Sequence, residues 1–355
     1  MRVIMAGGGT GGHLFPGLAV ARVLKERSLM TEVLFVGAAR GIEVRVLPRA
    51  GFPLETLPVA GIKGRGLRGI FEAAYGVPIS VLRSLRIIRG FRPDCVIGLG
   101  GYASGPLLLA AKLARIPCAI MEQNLRPGLT NRWLGRLADR IFVTYEKSAS
   151  FFPRARVVTT GNPVRWRALP RVARSDRFTL LVFGGSAGAH KINLAFLAAL
   201  ERMQDQAGKL RIVHQTGEAD YDWAKKAYAR LPFDAAVFAF IEKMDVAYAE
   251  ADLVLCRSGA TTIAELTVYG KPAILVPYPY AAHDHQRANA QALHEEGAVE
   301  VILDRELSGE SLADCLTRLF EDRERVRIMG EKARGFGKPD AAERIADECA
   351  KLVRR

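Results

Sequence analysis

Cysteine is sparse and unpatterned in this chain. Its five cysteines, Cys95, Cys118, Cys256, Cys315 and Cys349, are odd in number, widely spaced and free of any C-x-x-C pair. Neither a disulfide framework nor a zinc site is indicated, and a reducing compartment is expected. Long apolar runs are missing too: none approaches the roughly 18 residues needed to span a bilayer. Met1-Arg2 leads directly into a strand and a glycine loop without an apolar leader, which predicts a protein made and kept in the cytoplasm. Acid is in deficit, with 37 Asp and Glu against 51 Lys and Arg, a net charge of +14. Such a balance asks for an acidic partner: nucleic acid, anionic lipid or a phosphorylated substrate. No zinc-finger or RNP-like pattern accompanies the charge, which disfavours nucleic acid.

What is present is a signature that occurs twice. Val3-Ile4-Met5-Ala6 runs into Gly7-Gly8-Gly9-Thr10-Gly11-Gly12-His13, and a helical apolar pattern follows through Leu18, Val20, Val23 and Leu24. Leu180-Leu181-Val182-Phe183 runs into Gly184-Gly185-Ser186-Ala187-Gly188-Ala189-His190, followed by Ile192, Leu194, Phe196, Leu197 and Leu200. His13 and His190 stand 177 positions apart in a chain of 355, so each loop heads roughly half the molecule. A buried strand that turns sharply into a helix needs glycine for positive φ and for close approach of a ligand. The helix start then offers N–H groups and a positive dipole end to phosphate. One such loop also occurs for packing alone; two in matching positions favour ligand binding. With 49% hydrophobic and 25% charged residues, the chain is long enough for two domains, each with a full core.

Apolar runs at 33–36, 95–99, 118–121, 141–144 and 157–159 read as further strands of the first half. Runs at 179–183, 212–215, 236–240, 253–256, 273–276 and 300–302 read as strands of the second. Strands alternating with helical patterns predict α/β domains with parallel sheets, two Rossmann-like units. Gly161-Asn162-Pro163 and the basic stretch 165–177 are the candidate linker. Three further turns sit where parallel sheets place ligands, at 98–106, 256–265 and 277–289. Ser, Thr and Asp there also serve as ordinary caps.

The cations concentrate between Gly61 and Arg92, where Lys63, Arg65, Arg68, Arg83, Arg86, Arg89 and Arg92 face a single acid, Glu72. They alternate with Ile70, Phe71, Val77, Ile79, Val81, Leu82 and Leu85. Basic and apolar together suggest an anionic membrane surface, with a solvated helix face over a core stripe as the alternative.

At this point the residues resemble the MurG family of peptidoglycan N-acetylglucosaminyltransferases. The likeness rests on Gly8-Gly9-Thr10-Gly11-Gly12-His13 with Pro16, Gly100-Gly101-Tyr102 with Ser104-Gly105-Pro106, and Glu122-Gln123-Asn124 with Gly128-Leu129-Thr130-Asn131. It continues through Gly161-Asn162-Pro163-Val164-Arg165, Gly184-Gly185-Ser186, His214-Gln215-Thr216-Gly217, Cys256-Arg257-Ser258-Gly259-Ala260 with Glu265, and Asp284-His285-Gln286 with Asn289. These motifs are in order and span nearly the whole chain.

The resemblance implies the GT-B architecture, two Rossmann-like domains facing a cleft. Residues 1–160 would form an acceptor- and membrane-facing domain and 161–337 a UDP-N-acetylglucosamine domain, with a helix at 338–355 packing back on the first. It implies transfer of N-acetylglucosamine from UDP-N-acetylglucosamine to the C4 hydroxyl of the muramic acid in undecaprenyl-pyrophosphoryl-MurNAc-pentapeptide, with inversion. This activity needs no cofactor and places the enzyme peripherally on the cytoplasmic face of the bacterial plasma membrane, beside other cell-wall synthesis enzymes as partners. Ile70, Phe71, Arg83, Arg86 and Arg89 would then meet the membrane.

By the same resemblance, Ile241 meets uracil through its backbone and Glu265 accepts the ribose hydroxyls. Ser186, Arg165 and the turn Ala260, Thr261, Thr262, Ile263, Ala264, Glu265 hold nucleotide and diphosphate, and Gln286 bonds the sugar. Helix starts and an arginine can stabilise departing UDP without a metal ion. Thr10, Gly11 and Gly12 stand near the donor sugar of UDP-N-acetylglucosamine or the acceptor pyrophosphate, and Asn124 also lines the cleft on the donor. His13 is the candidate general base, because an imidazole can take a proton near neutral pH; the alternative is a ring that bonds only loop backbone or acceptor phosphate. Two metal-like patterns are discounted. Asp220-Tyr221-Asp222 falls at a helix start, where carboxylates serve the dipole. His283-Asp284-His285 is too local to surround one ion. Two positions depart from the family pattern, Met121 in place of a frequent histidine and Ala187 in place of a frequent glutamine. A UDP-sugar 2-epimerase, a diacylglycerol glycosyltransferase and an inactive membrane scaffold are the competing readings.

Overall fold

The structure, a computed structural model, describes residues 1–39, 41–58, 66–173, 175–281 and 284–353, with the backbone alone over 66–75. Lys63, Arg65, His283 and the side chains of Ile70 and Phe71 therefore lie outside the described residues. The chain divides into two compact units, Met1–Arg165 with Lys338–Arg355, and Trp166–Gly337.

The first unit is built on a parallel sheet of seven strands. In chain order these are β1 (Arg2–Gly7), β2 (Glu32–Ala38), β3 (Leu54–Leu57), β4 (Cys95–Gly100), β5 (Cys118–Glu122), β6 (Arg140–Val143) and β7 (Val157–Thr159). Their spatial order is β3-β2-β1-β4-β5-β6-β7. Every residue of β4 and β5 is buried, because helices cover both faces, and this is why these strands read as continuous apolar runs rather than as alternations. On one face Val3, Met5, Phe35 and Ile97 meet Leu14 and Leu18 of α1 (Gly11–Arg27) and Ile345, Cys349 and Leu352 of α13 (Ala341–Val353). Arg27 and Asp347 clasp α1 to α13 at 2.6 Å. On the other face Ile4, Val36, Val96 and Ile120 meet Ile88 of α3 (Gly66–Phe91), Leu107 and Leu108 of α4 (Ser104–Leu113) and Leu134 of α5 (Leu129–Leu134). Each fully buried side chain of this size contributes about 1.5–3 kcal/mol.

The second unit repeats the plan with six parallel strands. These are β8 (Phe178–Phe183), β9 (Leu210–Gln215), β10 (Asp234–Phe238), β11 (Leu253–Cys256), β12 (Ala273–Leu275) and β13 (Val299–Val301), ordered β10-β9-β8-β11-β12-β13. One face packs α6 (His190–Arg202) and α11 (Gly309–Glu321); the other packs α8 (Met244–Glu250), α9 (Ala260–Tyr269) and α10 (His285–His294). Counted from its own first strand, each sheet begins 3-2-1-4-5-6, the doubly wound Rossmann order. The strand order reverses between β1 and β4, and again between β8 and β11. A ligand crevice opens at the carboxyl ends of strands at such a reversal.

The apolar runs predicted from sequence are all strands, with ends moved by a residue or two. The run at 236–240 forms β10 two residues earlier, over Asp234–Phe238, because pairing with Arg211 through Gln215 sets its register. β3 is an addition: Leu-Glu-Thr-Leu at the sheet edge is short and partly exposed, so it carries no apolar run. The chain leaves the first unit after Arg165 and re-enters it at Lys338. Exit and re-entry lie side by side, since a Cβ on Gly161 (φ +86°) would stand 2.4 Å from that of Lys338.

Candidate functional site

In the first unit the β1–α1 loop crosses the reversal point. Gly7, Gly8 and Gly9 have φ of +137°, +144° and +84°, a run that side-chain-bearing residues rarely adopt. The space above them is already used: a Cβ on Gly7 would lie 2.2 Å from the Gly100 carbonyl, and one on Gly8 would strike the Glu43 carboxylate. Glu43, fully buried, accepts the Gly9 N–H at 2.8 Å and the Ala38 N–H at 2.9 Å. It holds the loop from beneath, and no sequence motif drew attention to it. Ser104 stitches the neighbouring strand ends, donating to the Ala6 carbonyl at 2.6 Å and accepting from Gly100 N–H at 3.1 Å.

Thr10 caps α1 in extended geometry, and Thr10 and Gly12 are exposed at its mouth. His13 stands in the first turn of the helix, half-buried, with its ring against Gly100, where a Cβ would fall 2.7 Å from Nδ1. Its Nδ1 lies 3.1 Å from Oε1 of Gln123, whose Nε2 donates to the Leu99 carbonyl at 3.1 Å. Asn124 is half-buried beside this pair. The buried Glu122 carboxylate receives the Asn124 N–H and amide at 2.9 and 3.2 Å, Gly128 N–H at 3.3 Å and the Asn131 amide at 2.9 Å. The structure thus brings Thr10, Gly11, Gly12, His13 and Asn124 to one edge of the first sheet. Arg165 also belongs to this unit and lies 4.3 Å over the ring of Phe15. Met121 is buried in the α1-side core, so the departure there changes packing beneath the loop.

In the second unit Ser186 and Ala187 are exposed on the β8–α6 loop. Gly188 and Gly217 pack backbone to backbone, with hypothetical Cβ atoms 2.0 Å from the Thr216 carbonyl and 2.4 Å from the Ala187 carbonyl. Gln215, buried, donates to the Gly185 carbonyl at 2.8 Å and accepts the Ile241 N–H at 3.0 Å. The Ile241 N–H is therefore occupied. His190 opens α6 with Nδ1 2.9 Å from Oδ1 of Asp220, which also accepts Trp223 Nε1 at 2.9 Å. The other Asp220 oxygen accepts Asn193 at 2.7 Å. Partial burial acts to raise Asp220, but the hydrogen bonds from Trp223, His190 and Asn193 prevail and hold it below the usual carboxylate range. The first carboxylate of the D-x-D pattern is thus engaged by side chains. Among the described residues no group of three His, Cys, Asp or Glu converges as ligands for an ion.

Behind Asp220, His214 is fully buried between Tyr228 Oη (2.9 Å) and Asn193 Oδ1 (3.0 Å), and burial pushes its imidazole down to about 3. Across the reversal point, the turn from Ala260 to Glu265 forms the start of α9. Ala260, Thr261, Ile263 and Ala264 are largely buried and Thr262 is partly open. Glu265, 2% exposed, accepts the Tyr248 hydroxyl at 3.1 Å. Gln286 accepts Tyr278 N–H at 3.0 Å through Oε1. Its backbone carbonyl receives Ser258 Oγ at 2.9 Å, which ties the α9 and α10 starts together.

On α3, Arg83, Arg86 and Arg89 are exposed beside Val77, Ile79 and Leu82, the last three 45%, 56% and 61% exposed. No helix among the described residues is long and apolar enough to cross a membrane.

Two Rossmann units in one chain, each with a glycine loop at its reversal point, are the plan of the GT-B architecture. Residues 3–143 match the glycosyltransferase family 28 N-terminal domain and residues 179–345 its C-terminal domain. The chain is 48% identical to a UDP-N-acetylglucosamine–N-acetylmuramyl-(pentapeptide) pyrophosphoryl-undecaprenol N-acetylglucosamine transferase of Geobacter sulfurreducens, over 100% of both chains. It is 50% identical to the protein of the same name from Geobacter metallireducens, over 98% of both. The crystal structure of Acinetobacter baumannii MurG superposes with a TM-score of 0.75 at 32% identity over 99% of each chain. S. aureus MnaA, solved with UDP, shares the fold at 17% identity and a TM-score of 0.71, covering 97% of this chain and 95% of that one. The chain belongs to the MurG family of family 28 glycosyltransferases.

Proposed function

We propose that this protein transfers N-acetylglucosamine from UDP-N-acetylglucosamine to the C4 hydroxyl of lipid-linked MurNAc-pentapeptide in peptidoglycan synthesis, inverting the anomeric centre. The observation that carries this reading is the end-to-end likeness to transferases of that name, in which both glycine loops take part. The first unit receives the acceptor. Its hydroxyl attacks the anomeric carbon, the bond to UDP breaks, and His13 takes the hydroxyl proton on Nε2. Thr10, Gly11, Gly12 and Asn124 shape this side.

The second unit holds the donor. Ile241 meets uracil through its carbonyl, since Gln215 occupies its N–H. Glu265 bonds the ribose, while Ser186 and the start of α9, joined by Arg165, the last residue of the first unit's main segment, offset the charge that grows on UDP. Gln286, with Oε1 engaged by Tyr278, turns Nε2 to the sugar. Helix starts and the guanidinium do the work that a metal ion does in other transferases, so the chemistry is metal-independent. The exposed arginines and apolar side chains of α3 settle on the anionic cytoplasmic face of the plasma membrane.

Transfer of labelled N-acetylglucosamine to a lipid I analogue, with chelator present and His13→Gln run in parallel, tests this. Transfer that survives chelator and falls by two orders of magnitude or more in the variant supports the reading. No transfer to the muramyl acceptor by protein that binds UDP-N-acetylglucosamine would redirect it to another acceptor.

A further inference from the structure

We infer that Gln123 is a positioning residue that fixes the tautomer of His13, so that Nε2 faces the acceptor as the proton-accepting nitrogen. The inference rests on the reading of His13 as the base and supplies what that reading lacks, a reason for the correct nitrogen to be free.

The chain of hydrogen bonds has one consistent polarity. The Leu99 carbonyl can only accept, so the Gln123 atom 3.1 Å from it is the amide nitrogen. Oε1 then faces His13 Nδ1 at 3.1 Å, and as an oxygen without hydrogen it too can only accept. Nδ1 must therefore carry the proton. In a neutral ring this leaves the lone pair on Nε2. Flipping the amide would set two oxygens against each other at Leu99, and with Gln123 only 2% exposed, water cannot repair that loss.

Gly100 completes the clamp. Its φ is +102°, and its missing Cβ is the space against which the imidazole lies. The ring is thus held between the end of β4 and the end of β5.

The titratable and charged groups on the surrounding elements have other engagements. Glu43 serves Gly9 and Ala38, Glu122 serves Asn124, Gly128 and Asn131, and Arg165 lies over Phe15. Tyr102, on the β4–α4 turn, is half exposed. The partner of Nδ1 is thus a neutral amide.

Two substitutions and one spectrum test the inference. Gln123→Met keeps the volume and removes the acceptor; kcat is expected to fall about 10- to 100-fold while KM for UDP-N-acetylglucosamine stays within about twofold. Gln123→Glu retains an acceptor but adds charge; the acid limb of the kcat/KM pH profile is expected to move up by about one unit or more. An active Gln123→Glu enzyme with an unmoved acid limb would overturn the inference. In the wild-type protein, 15N NMR of labelled histidine, assigned with His13→Gln, should show the Nδ1–H tautomer for His13. Finding Nε2–H would also overturn it, whatever the kinetics. Should His13→Gln retain full transfer, the base reading fails by itself, and the tautomer measurement still decides what Gln123 does.

Discussion

The two glycine loops share a backbone plan and differ in what they place behind a histidine. In the first unit the Nδ1 of His13 meets the neutral amide of Gln123, reached from β5. In the second, the Nδ1 of His190 meets the carboxylate of Asp220, reached from beyond β9. His13 is half-buried against Gly100, whereas the His190 side chain is 65% exposed. The second contact sets the ring against an ionised acceptor and the first against a neutral one. Repetition of the fold thus keeps the strand-to-loop plan and leaves the side chain behind each histidine to differ.

The sharpest way to break the comparison is to treat both histidines alike. His13→Gln is expected to lower kcat at least 100-fold with donor binding retained, whereas His190→Gln should cost less than about tenfold. Steady-state transfer with donor titration distinguishes them, and equal losses would erase the difference. Next in size is Gly100→Ala. It forces a side chain into φ +102° and into the His13 ring, and is expected to destabilise the first unit by about 1–3 kcal/mol while reducing kcat more than tenfold. Denaturant unfolding and kinetics check it.

Acid should separate the units. His214 is lowered by burial to about 3 from an ordinary 6.5. Between those values the unfolded chain binds a proton that the folded one does not, so stability rises with pH across that window and is lost as pH falls below about 6.5. The slope is at most about 1.4 kcal/mol per pH unit. Asp220, also depressed, contributes stability that is present above the ordinary carboxylate value and lost as pH falls through its own lower one. Hydrogen exchange at pH 5 against pH 7 should show protection falling in β8 and β9 before β1 and β4. His214→Gln should flatten the trend.

The smallest expected effect on transfer itself is at the surface. Neutralising Arg83, Arg86 and Arg89 together should weaken sedimentation with anionic vesicles by about 1 kcal/mol per charge and leave transfer to a water-soluble acceptor within about twofold.

Periodicity made most of this fold legible because both sheets are covered on two faces, which turns their strands into apolar runs. β3 escaped because an edge strand of four residues needs only one buried side chain, Leu57, to hold it. His13 and Glu265 were visible through a motif. Glu43 was not, since a carboxylate in a helix reads as surface, and only the folded chain shows that its two oxygens meet N–H groups 34 and 5 positions away. Gln123 was visible as part of a triplet, yet its task depends on the Leu99 carbonyl, and backbone groups leave no trace in sequence.

The contact between Gly161 and Lys338 carries a last consequence. The chain departs from and returns to nearly one spot on the first unit, so the whole of the second is topologically an insertion, threaded through a single doorway. Every strand of the first sheet and both partners of the α1–α13 clasp lie outside that segment. Both ends of any segment grafted in its place must meet at that doorway.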